Sequence, residues 1–275
     1  MKSLHNLVLD VQGSQDAVQI MSSPEFYVVI PARYASTRLP GKPLLDIAGK
    51  PMVVWVVERA MQSGAKQVVV ATDDVRILDA VHAYGYQAVL TREDHVSGTD
   101  RIAEVALQQG WSGDAIVVNV QGDEPLIEAT LIVEVAVALN NSISAVMSTA
   151  CHAIHKKVDF VNPNIVKVVL DEHGNALYFS RAPIPYPRDT FAEDQALPVG
   201  MPAYRHIGIY AYRAGFLREY ASIPQAAIER IECLEQLRVL HHGYKIAVSI
   251  SENAPATGVD TEADLKYVRS LMHMS

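Results

Sequence analysis

Strand-like and helix-like patterns of hydrophobic residues alternate along the first half of the chain. Short runs of β-branched and aromatic residues predict buried strands, and longer, largely apolar stretches predict covered helices. The predicted strands are 26–30, 67–71, 87–90, 115–120 and 144–150, and the predicted helices are 52–63, 75–84 and 128–139. This alternation indicates a parallel sheet, in which right-handed crossovers bring the loop after each strand to one edge. Pro31 is predicted to end the first strand, because proline cannot donate to the ladder.

The alternation breaks after position 150. Two runs at 165–170 and 176–180 are joined by five turn-forming residues and predict a β-hairpin. The prolines of 181–188 exclude regular structure there, and alternating polarity predicts a strand at 204–212. We therefore expect 160–212 to be an inserted subregion that serves as a lid or a subunit contact.

The C-terminal part of the chain again shows helix and strand patterns. The clearest amphipathic helix is predicted at 226–240. A strand is predicted at 245–251 and a last helix at 262–272, with Asp260 or Thr261 as its cap. The side chains expected to face inward from the amphipathic helix are Ile228, Ile231, Leu234 and Leu237.

The amino-acid composition excludes several classes of function. The chain has 275 residues, 49% of them hydrophobic, and can bury a large core. Its net charge of −8 argues against general nucleic-acid binding, which needs a basic surface. Cys151 and Cys233 lack the spacing of a zinc site, so reduced thiols are expected. No apolar run reaches the ~18 residues of a membrane-spanning helix.

The N-terminal segment differs from the rest of the chain. Residues 1–24 lack the basic start, apolar stretch and small-residue cleavage site of a secretory signal. They are interpreted as an appendage to the domain, and whether it is ordered or disordered is left open. A single α/β domain is expected over 25–275.

The first loop at the predicted sheet edge carries three cations. The run 26–43 reads FYVVIPARYASTRLPGKP and places Arg33, Arg38 and Lys42 within ten residues. Cations this close repel one another, so a polyanion such as a nucleotide triphosphate is their expected partner. The loop is not of the Walker type, because proline rather than Ser or Thr follows its Gly-Lys pair. A solvated basic loop is the alternative.

A carboxylate follows the fourth predicted strand. Asp123 lies in the sequence QGDEP, where a central parallel strand leaves the sheet. This position suits a hard cation that carries phosphate oxygens, so Asp123 is predicted to ligate a metal rather than only to form a turn. Glu124 is a weaker candidate, and Gln121 is placed to hydrogen-bond a polyhydroxy substrate.

The loop at 91–101 combines a cation with hydroxyls before a helix whose positive end favours an anion. Capping of that helix by Ser97, Thr99 or Asp100 is the structural alternative. Both roles are compatible, because a capping residue can also contact a ligand.

The motif PARYASTRLPGKPL, followed by DIAGKPM, resembles the signature of the sugar nucleotidyltransferases and most closely that of CMP-KDO synthetases (3-deoxy-manno-octulosonate cytidylyltransferases). The resemblance runs from about residue 24 to about residue 265. It implies a three-layer, Rossmann-like, mostly parallel α/β fold. The implied reaction is transfer of CMP from CTP to KDO with release of pyrophosphate, which activates KDO for the lipopolysaccharide inner core. Mg²⁺, a homodimer formed partly by 160–212 and a cytoplasmic location are also implied.

The resemblance assigns roles to individual residues. The catalytic set is Arg33, Arg38, Lys42, Asp123 and Asp260, with the two aspartates as Mg²⁺ ligands. The nucleotide is expected at Pro31, Ala32, Arg33, Ser36, Arg38, Lys42, Thr72, Asp73 and Ser97. The sugar acid is expected at Arg92, Gln121, His206, Tyr210 and Glu235. Which of the nucleotide-binding residues read the cytosine is left open.

Some of these residues have simpler explanations. Asp260 is a candidate helix cap, His206 an ordinary strand residue on the same face as Tyr210, and Glu235 an exposed partner of Arg238. For the whole chain, the alternatives are a cytidylyltransferase for a related sugar acid, such as 8-amino-KDO or a sialic-acid-like sugar, and a catalytically silent nucleotide-binding module.

Overall fold

A computed structural model describes residues 24–35, 38–95, 97–189, 196–256 and 258–272. The strands are β1 (Phe26–Ala32), β2 (Asp46–Ile47), β3 (Lys50–Pro51), β4 (Gln67–Thr72), β5 (Gln87–Leu90), β6 (Ile116–Asn119), β7 (Ala145–Ala153), β8 (Lys167–Leu170), β9 (Ala176–Ser180), β10 (Tyr204–Arg213) and β11 (Lys245–Ile250). The helices are α1 (Met52–Met61), α2 (Val75–Ala83), α3 (Gly98–Gln108), α4 (Ala129–Asn141), α5 (Lys157–Val161), α6 (Ala214–Tyr220), α7 (Ala227–Glu232), α8 (Gln236–His241) and α9 (Glu262–Met272).

One large, mostly parallel sheet organises the chain. Its strand order is β11-β7-β10-β6-β1-β4-β5, and β8 joins it through β10. In this row only β10 is reversed, pairing antiparallel with both β6 and β7. The other neighbouring pairs of the row are parallel. The predicted fold class is confirmed.

Helices cover both faces of the sheet. The apolar residues of β1 point alternately to the two sides, so Val28 and Ile30 join one buried cluster and Val29 joins the other. The first cluster includes side chains of α1, α2 and α4, and the second includes side chains of α3, α6 and α8. This burial on both faces explains why the central strands read as continuous apolar runs.

Strand β1 extends further than the sequence predicted. Pro31 and Ala32 remain in the strand, paired with Ala71 and Thr72 of β4. On the other side, pairing with β6 stops at Val29. Proline is tolerated because the ladder continues on one side only.

The predicted helix at 226–240 is interrupted. Cys233 adopts a left-handed conformation, with φ of 52°, and separates α7 from α8. Leu234 and Leu237 are buried as predicted and Ile228 is partly buried, but Ile231 is 81% exposed. The break brings Arg238 to the buried Glu229, which accepts a hydrogen bond from its Nη2 at 2.6 Å.

The predicted hairpin is present as β8 and β9. Its turn is held by the Asp171 carboxylate, which accepts hydrogen bonds from the backbone of His173 and Asn175. The hairpin extends the main sheet because β8 also pairs with β10. None of the described helices is long and apolar enough to cross a membrane.

Candidate active site

A cavity of about 350 Å³ opens at the carboxyl edge of the sheet, beside the loops that follow β1 and β6. Eight of the predicted site residues line it: Pro31, Ala32, Arg33, Arg38, Lys42, Gln121, Asp123 and Asp260. They come from three segments of the chain that are far apart in sequence. Ser36, also predicted to bind the nucleotide, lies outside the described residues.

The Lys42 ammonium lies between the two predicted metal ligands. Its Nζ donates to Asp123 Oδ2 at 2.6 Å and to Asp260 Oδ1 at 3.2 Å. It also donates to the carbonyl oxygen of Val259 at 3.0 Å. Burial alone would lower the pKa of Lys42, but the hydrogen bonds and charges of the two carboxylates outweigh it and raise the pKa. The site therefore keeps a positive charge between two negative ones.

Close backbone packing places Asp123 beside this loop. A Cβ added at Gly122 would lie 2.7 Å from the carbonyl oxygen of Pro31, so the approach requires glycine. On its other side, the Asp123 carbonyl oxygen accepts a hydrogen bond from the Val259 backbone at 2.8 Å. The loop after β6 thus joins the cationic loop to the segment that carries Asp260.

Asp260 does not cap the last helix with its side chain. That cap is formed by Thr261 and Asp264: the Asp264 carboxylate accepts from the Thr261 backbone at 2.7 Å, and the Thr261 hydroxyl accepts from the Asp264 backbone at 3.3 Å. The Asp260 carboxylate instead meets Lys42, and it pairs with Arg38 at 3.4 Å. The alternative in which Asp260 serves only as the cap is wrong.

The two arginines of the loop point to different partners. Arg33 Nη2 donates to the carbonyl oxygen of His95 at 3.0 Å and so reaches the loop after β5. The Arg38 side chain is 66% exposed and lies at the rim, next to Asp260. A ligand in the cavity would therefore meet Lys42 at its inner side and Arg38 from the solvent side.

Thr72 and Asp73, at the end of β4, belong to a buried network. The Thr72 carbonyl oxygen accepts hydrogen bonds from the backbone and hydroxyl of Thr91. Asp73 Oδ2 accepts from the fully buried Arg101 at 2.6 Å, and Arg101 also donates to the Thr91 hydroxyl. Burial lowers the pKa of Arg101, and Asp73 opposes that shift.

Arg101 was missed in the sequence analysis. The feature of the sequence that could have revealed this residue is a charge on the side of α3 that also carries the buried Ile102 and Val105. A buried arginine needs a partner with opposite charge. The partner, Asp73, had been singled out only as a nucleotide contact.

Ser97 caps α3, and it also lines a second cavity of about 380 Å³. Its hydroxyl accepts from the Asp100 backbone at 3.1 Å, which confirms the capping interpretation. Glu235, a predicted sugar-binding residue, lines the same cavity. The structure therefore places a predicted nucleotide residue and a predicted sugar residue on one cavity.

His206, Tyr210 and Glu235 lie near one another. The rings of His206 and Tyr210 share one face of β10, with centroids 5.5 Å apart. Burial lowers the pKa of His206 to about 3, so its imidazole is neutral, and its Nε2 lies 3.0 Å from the Thr149 hydroxyl. Burial, Tyr212 and Glu235 raise the pKa of Tyr210.

Glu235 does not form the predicted surface pair with Arg238. Its Oε1 accepts a hydrogen bond from the Tyr220 hydroxyl at 3.0 Å. Arg238 is instead paired with Glu229. Among the described residues, none donates a hydrogen bond to the second oxygen of Glu235, which can accept one from a ligand.

Arg92 stands apart from the other predicted sugar residues. It pairs with Asp94 at 2.5 Å, and its side chain is 69% exposed. The cavity that it lines, of about 570 Å³, also contains His95 and Leu217. The structure does not bring Arg92 to the cavity of Lys42.

The carboxylates of the first cavity can share a cation but do not enclose one. Within the described ranges, no group of three or more His, Cys, Asp or Glu side chains is arranged to hold a metal ion. Burial and the neighbouring Asp123 raise the pKa of Glu124 to about 8, so Glu124 adds little negative charge near neutrality. Asp123 and Asp260 suit Mg²⁺, which takes one or two carboxylates together with phosphate oxygens and water.

Comparison with known proteins identifies the family of this chain. Residues 27–246 fit the model of a cytidylyltransferase family. A solved structure of CMP:2-keto-3-deoxy-manno-octonic acid synthetase complexed with CTP is 44% identical and covers 91% of this chain and 99% of its own, with a TM-score of 0.82. A cytidylyltransferase from Leptospira borgpetersenii serovar Hardjo-bovis is 19% identical, covers 92% and 88%, and has a TM-score of 0.57, which shows the shared fold. The chain belongs to the cytidylyltransferase family.

Proposed function

We propose that this enzyme transfers CMP from CTP to the anomeric hydroxyl of KDO, releasing pyrophosphate. The observation that carries the proposal is the cavity in which Arg33, Arg38 and Lys42 face Asp123 and Asp260. The CTP-bound synthetase, 44% identical over 91% of this chain, supports the nucleotide and the sugar acid. In this reaction the hydroxyl oxygen attacks the α-phosphorus, and the bond to pyrophosphate breaks on the opposite side.

The protein contributes mainly position and charge. Phosphoryl-type transfer demands little covalent chemistry from side chains, so the three cations of the loop serve to bind the triphosphate and neutralise the charge that moves to the leaving group. Pro31 and Ala32 line this cavity and are therefore placed to contact the nucleotide.

We assign Asp123 and Asp260 as the residues that hold Mg²⁺. The donor set supports this, because two carboxylates from separate loops converge on one cation, the Lys42 ammonium. Bound Mg²⁺ would lower the pKa of the attacking hydroxyl and neutralise phosphate oxygens. Because Asp123 and Asp260 line the cavity, they would hold the metal ion beside the bound nucleotide.

We assign the sugar acid to Gln121, His206, Tyr210 and Glu235, whereas Arg92, predicted for the same role, lines a different cavity. Neutral His206 and the Tyr210 hydroxyl offer hydrogen bonds to sugar hydroxyls, while Glu235 accepts them. We also propose that the product, CMP-KDO, serves as the activated sugar for the lipopolysaccharide inner core and that the reaction takes place in the cytoplasm.

We further propose a homodimer that involves residues 160–212. Large hydrophobic side chains are exposed in and next to this segment, including Val158, Leu177 and Val199. Single exposed apolar residues are common on monomers, so the proposal rests on the resemblance to the CMP-KDO synthetases, and these side chains are available to the contact. Light scattering after size-exclusion chromatography should give twice the chain mass, and a monomer would contradict this assignment.

The function is tested by pyrophosphate release from CTP, UTP, ATP and GTP, each with KDO and Mg²⁺. Release that needs CTP, KDO and Mg²⁺ together is expected. Turnover with 8-amino-KDO or a sialic acid, but not with KDO, would correct the acceptor. No release from folded protein with any of these would contradict the proposal and favour a silent nucleotide-binding module.

A further inference from the structure

The ammonium of Lys42 is fully engaged by its own chain. An ammonium has three protons, and Nζ has three acceptors at 2.6, 3.0 and 3.2 Å: Asp123 Oδ2, Val259 O and Asp260 Oδ1. Only 14% of the side chain is exposed. To bind a phosphate oxygen with the same strength, Lys42 must give up at least one of these partners.

The position of Nζ also affects the carboxylates. Asp123 and Asp260 each direct one oxygen at the ammonium, so a metal ion held by both would lie close to a positive charge. Like charges at contact distance repel strongly in a partly buried site. Lys42 and a divalent cation therefore compete for the same pair of carboxylates.

The backbone around Lys42 allows its side chain to move alone. Gly41 has a φ of 67° and its N–H is bound to the carbonyl oxygen of Tyr34, while Lys42 starts a short 3₁₀ turn through Leu44. These contacts hold the backbone at residues 41–44. The four-carbon lysine side chain is flexible, and Arg33 and Arg38 line the cavity into which it would turn.

We propose that Lys42 is an exchangeable internal cation. In the nucleotide-free enzyme it holds Asp123 and Asp260 together and opposes metal binding. When a triphosphate offers its ammonium a new anionic partner, it leaves the carboxylates to the metal. This inference rests on the proposed function for the metal ligands and the nucleotide.

The consequence is coupling between nucleotide and metal. A ligand that draws Lys42 away removes the competitor of the metal, so each of the two ligands strengthens the binding of the other. Until that ligand binds, the Lys42 ammonium lies between the two carboxylates and offsets the repulsion between their like charges.

The test is Mn²⁺ binding to nucleotide-free protein, followed by the electron paramagnetic resonance signal of free Mn²⁺. Wild type is compared with Lys42→Met and with Lys50→Met, a control that removes the same charge from a lysine paired with Glu58. Lys42→Met should bind Mn²⁺ about tenfold more tightly, because it lacks the competing charge. Lys50→Met should bind like wild type.

A second set of variants locates the effect. The gain should disappear in Lys42→Met/Asp123→Asn, because the added affinity requires that carboxylate. Lys42→Gln, which keeps a hydrogen-bond donor without the charge, should also bind Mn²⁺ more tightly and serves if Lys42→Met does not fold. Circular dichroism checks the fold of each variant.

Equal or weaker Mn²⁺ binding by a folded, uncharged Lys42 variant would overturn the proposal, as would a gain that persists in the double variant. Failure of the proposed function is separate. In that case neither wild type nor Lys50→Met would release pyrophosphate in the presence of CTP and KDO. This outcome does not depend on how tightly the two proteins bind Mn²⁺.

Discussion

The close approach of Gly122 to the Pro31 carbonyl oxygen predicts the effect of the substitution Gly122→Ala. In Gly122→Ala, the new Cβ would lie 2.7 Å from the Pro31 carbonyl oxygen, whereas real Cβ atoms essentially never approach below 3.0 Å. The obstructing atom belongs to the backbone of β1 and cannot rotate away. The loop after β6 and strand β1 must therefore separate by at least 0.3 Å, and by 0.7 Å to reach the 3.4 Å of an ordinary contact.

This displacement falls on the residue next to Asp123, whose carboxylate meets Lys42 at 2.6 Å. Misplacement of a reacting group by 1 Å can cost about 100-fold in rate, so we expect kcat/KM to fall by roughly 10- to 100-fold. The overpacking should also reduce the free energy of unfolding by about 1–3 kcal/mol.

The assay is CTP- and KDO-dependent pyrophosphate release, with urea unfolding measured in parallel. Gly113→Ala is the matched control, since its Cβ would lie 3.8 Å from Gly215, which is ordinary contact. Wild-type kcat/KM in Gly122→Ala, or an equal loss in Gly113→Ala, would refute the reasoning.

Four further predictions concern charges. Asp123→Asn should abolish Mg²⁺-dependent turnover while leaving the melting temperature close to that of wild type. Activity retained by this variant at low Mg²⁺ would show that Asp123 is not a metal ligand. Lys42→Ala should lower kcat by ~100-fold or more, the scale of one lost preorganised donor, and near-normal kcat would exclude it. Arg101→Met should cost about 3 kcal/mol in urea unfolding by leaving Asp73 without its partner, and a loss below about 1 kcal/mol would show that the pair is not needed. Unfolded His206 takes a proton near pH 6.5 but folded His206 only near pH 3, so stability should fall as pH drops through this window; His206→Gln should flatten that part of the curve, and an unchanged slope would contradict the assignment.

The layers of the fold were predictable because burial acts locally on each element. Residues 26–30 are apolar on both faces, and this pattern is enough to mark a central strand. The reversed direction of β10 was not predictable, since it depends on where a long connection returns to the sheet. The break at Cys233 could not be predicted, because the helical spacing of apolar residues continues through it. The buried ion pair between Glu229 and Arg238 accompanies the break, but a pair of charged residues does not show up in a pattern of apolar positions.

The site was predictable in its parts but not in its internal pairing. Each strand-end cation or carboxylate could be recognised as a polar residue at the carboxyl edge. Lys42, however, meets partners 81 and 218 positions away. Their convergence depends on the approach of Gly122 to Pro31 and on the backbone bond between Val259 and Asp123. Neither contact leaves a periodic pattern.

The internal pairing also explains how three cations coexist on one short loop. In isolation they would repel, and the sequence therefore pointed to an external polyanion. The structure gives each a partner within the chain: Arg33 reaches the His95 carbonyl oxygen, Arg38 pairs with Asp260, and Lys42 lies between Asp123 and that same Asp260. Each of these three side chains already has a partner within its own chain, so a triphosphate would have to take the place of that partner. Such an exchange gives up existing contacts for new ones, so the affinity of the site for a triphosphate depends on how completely the phosphates replace them.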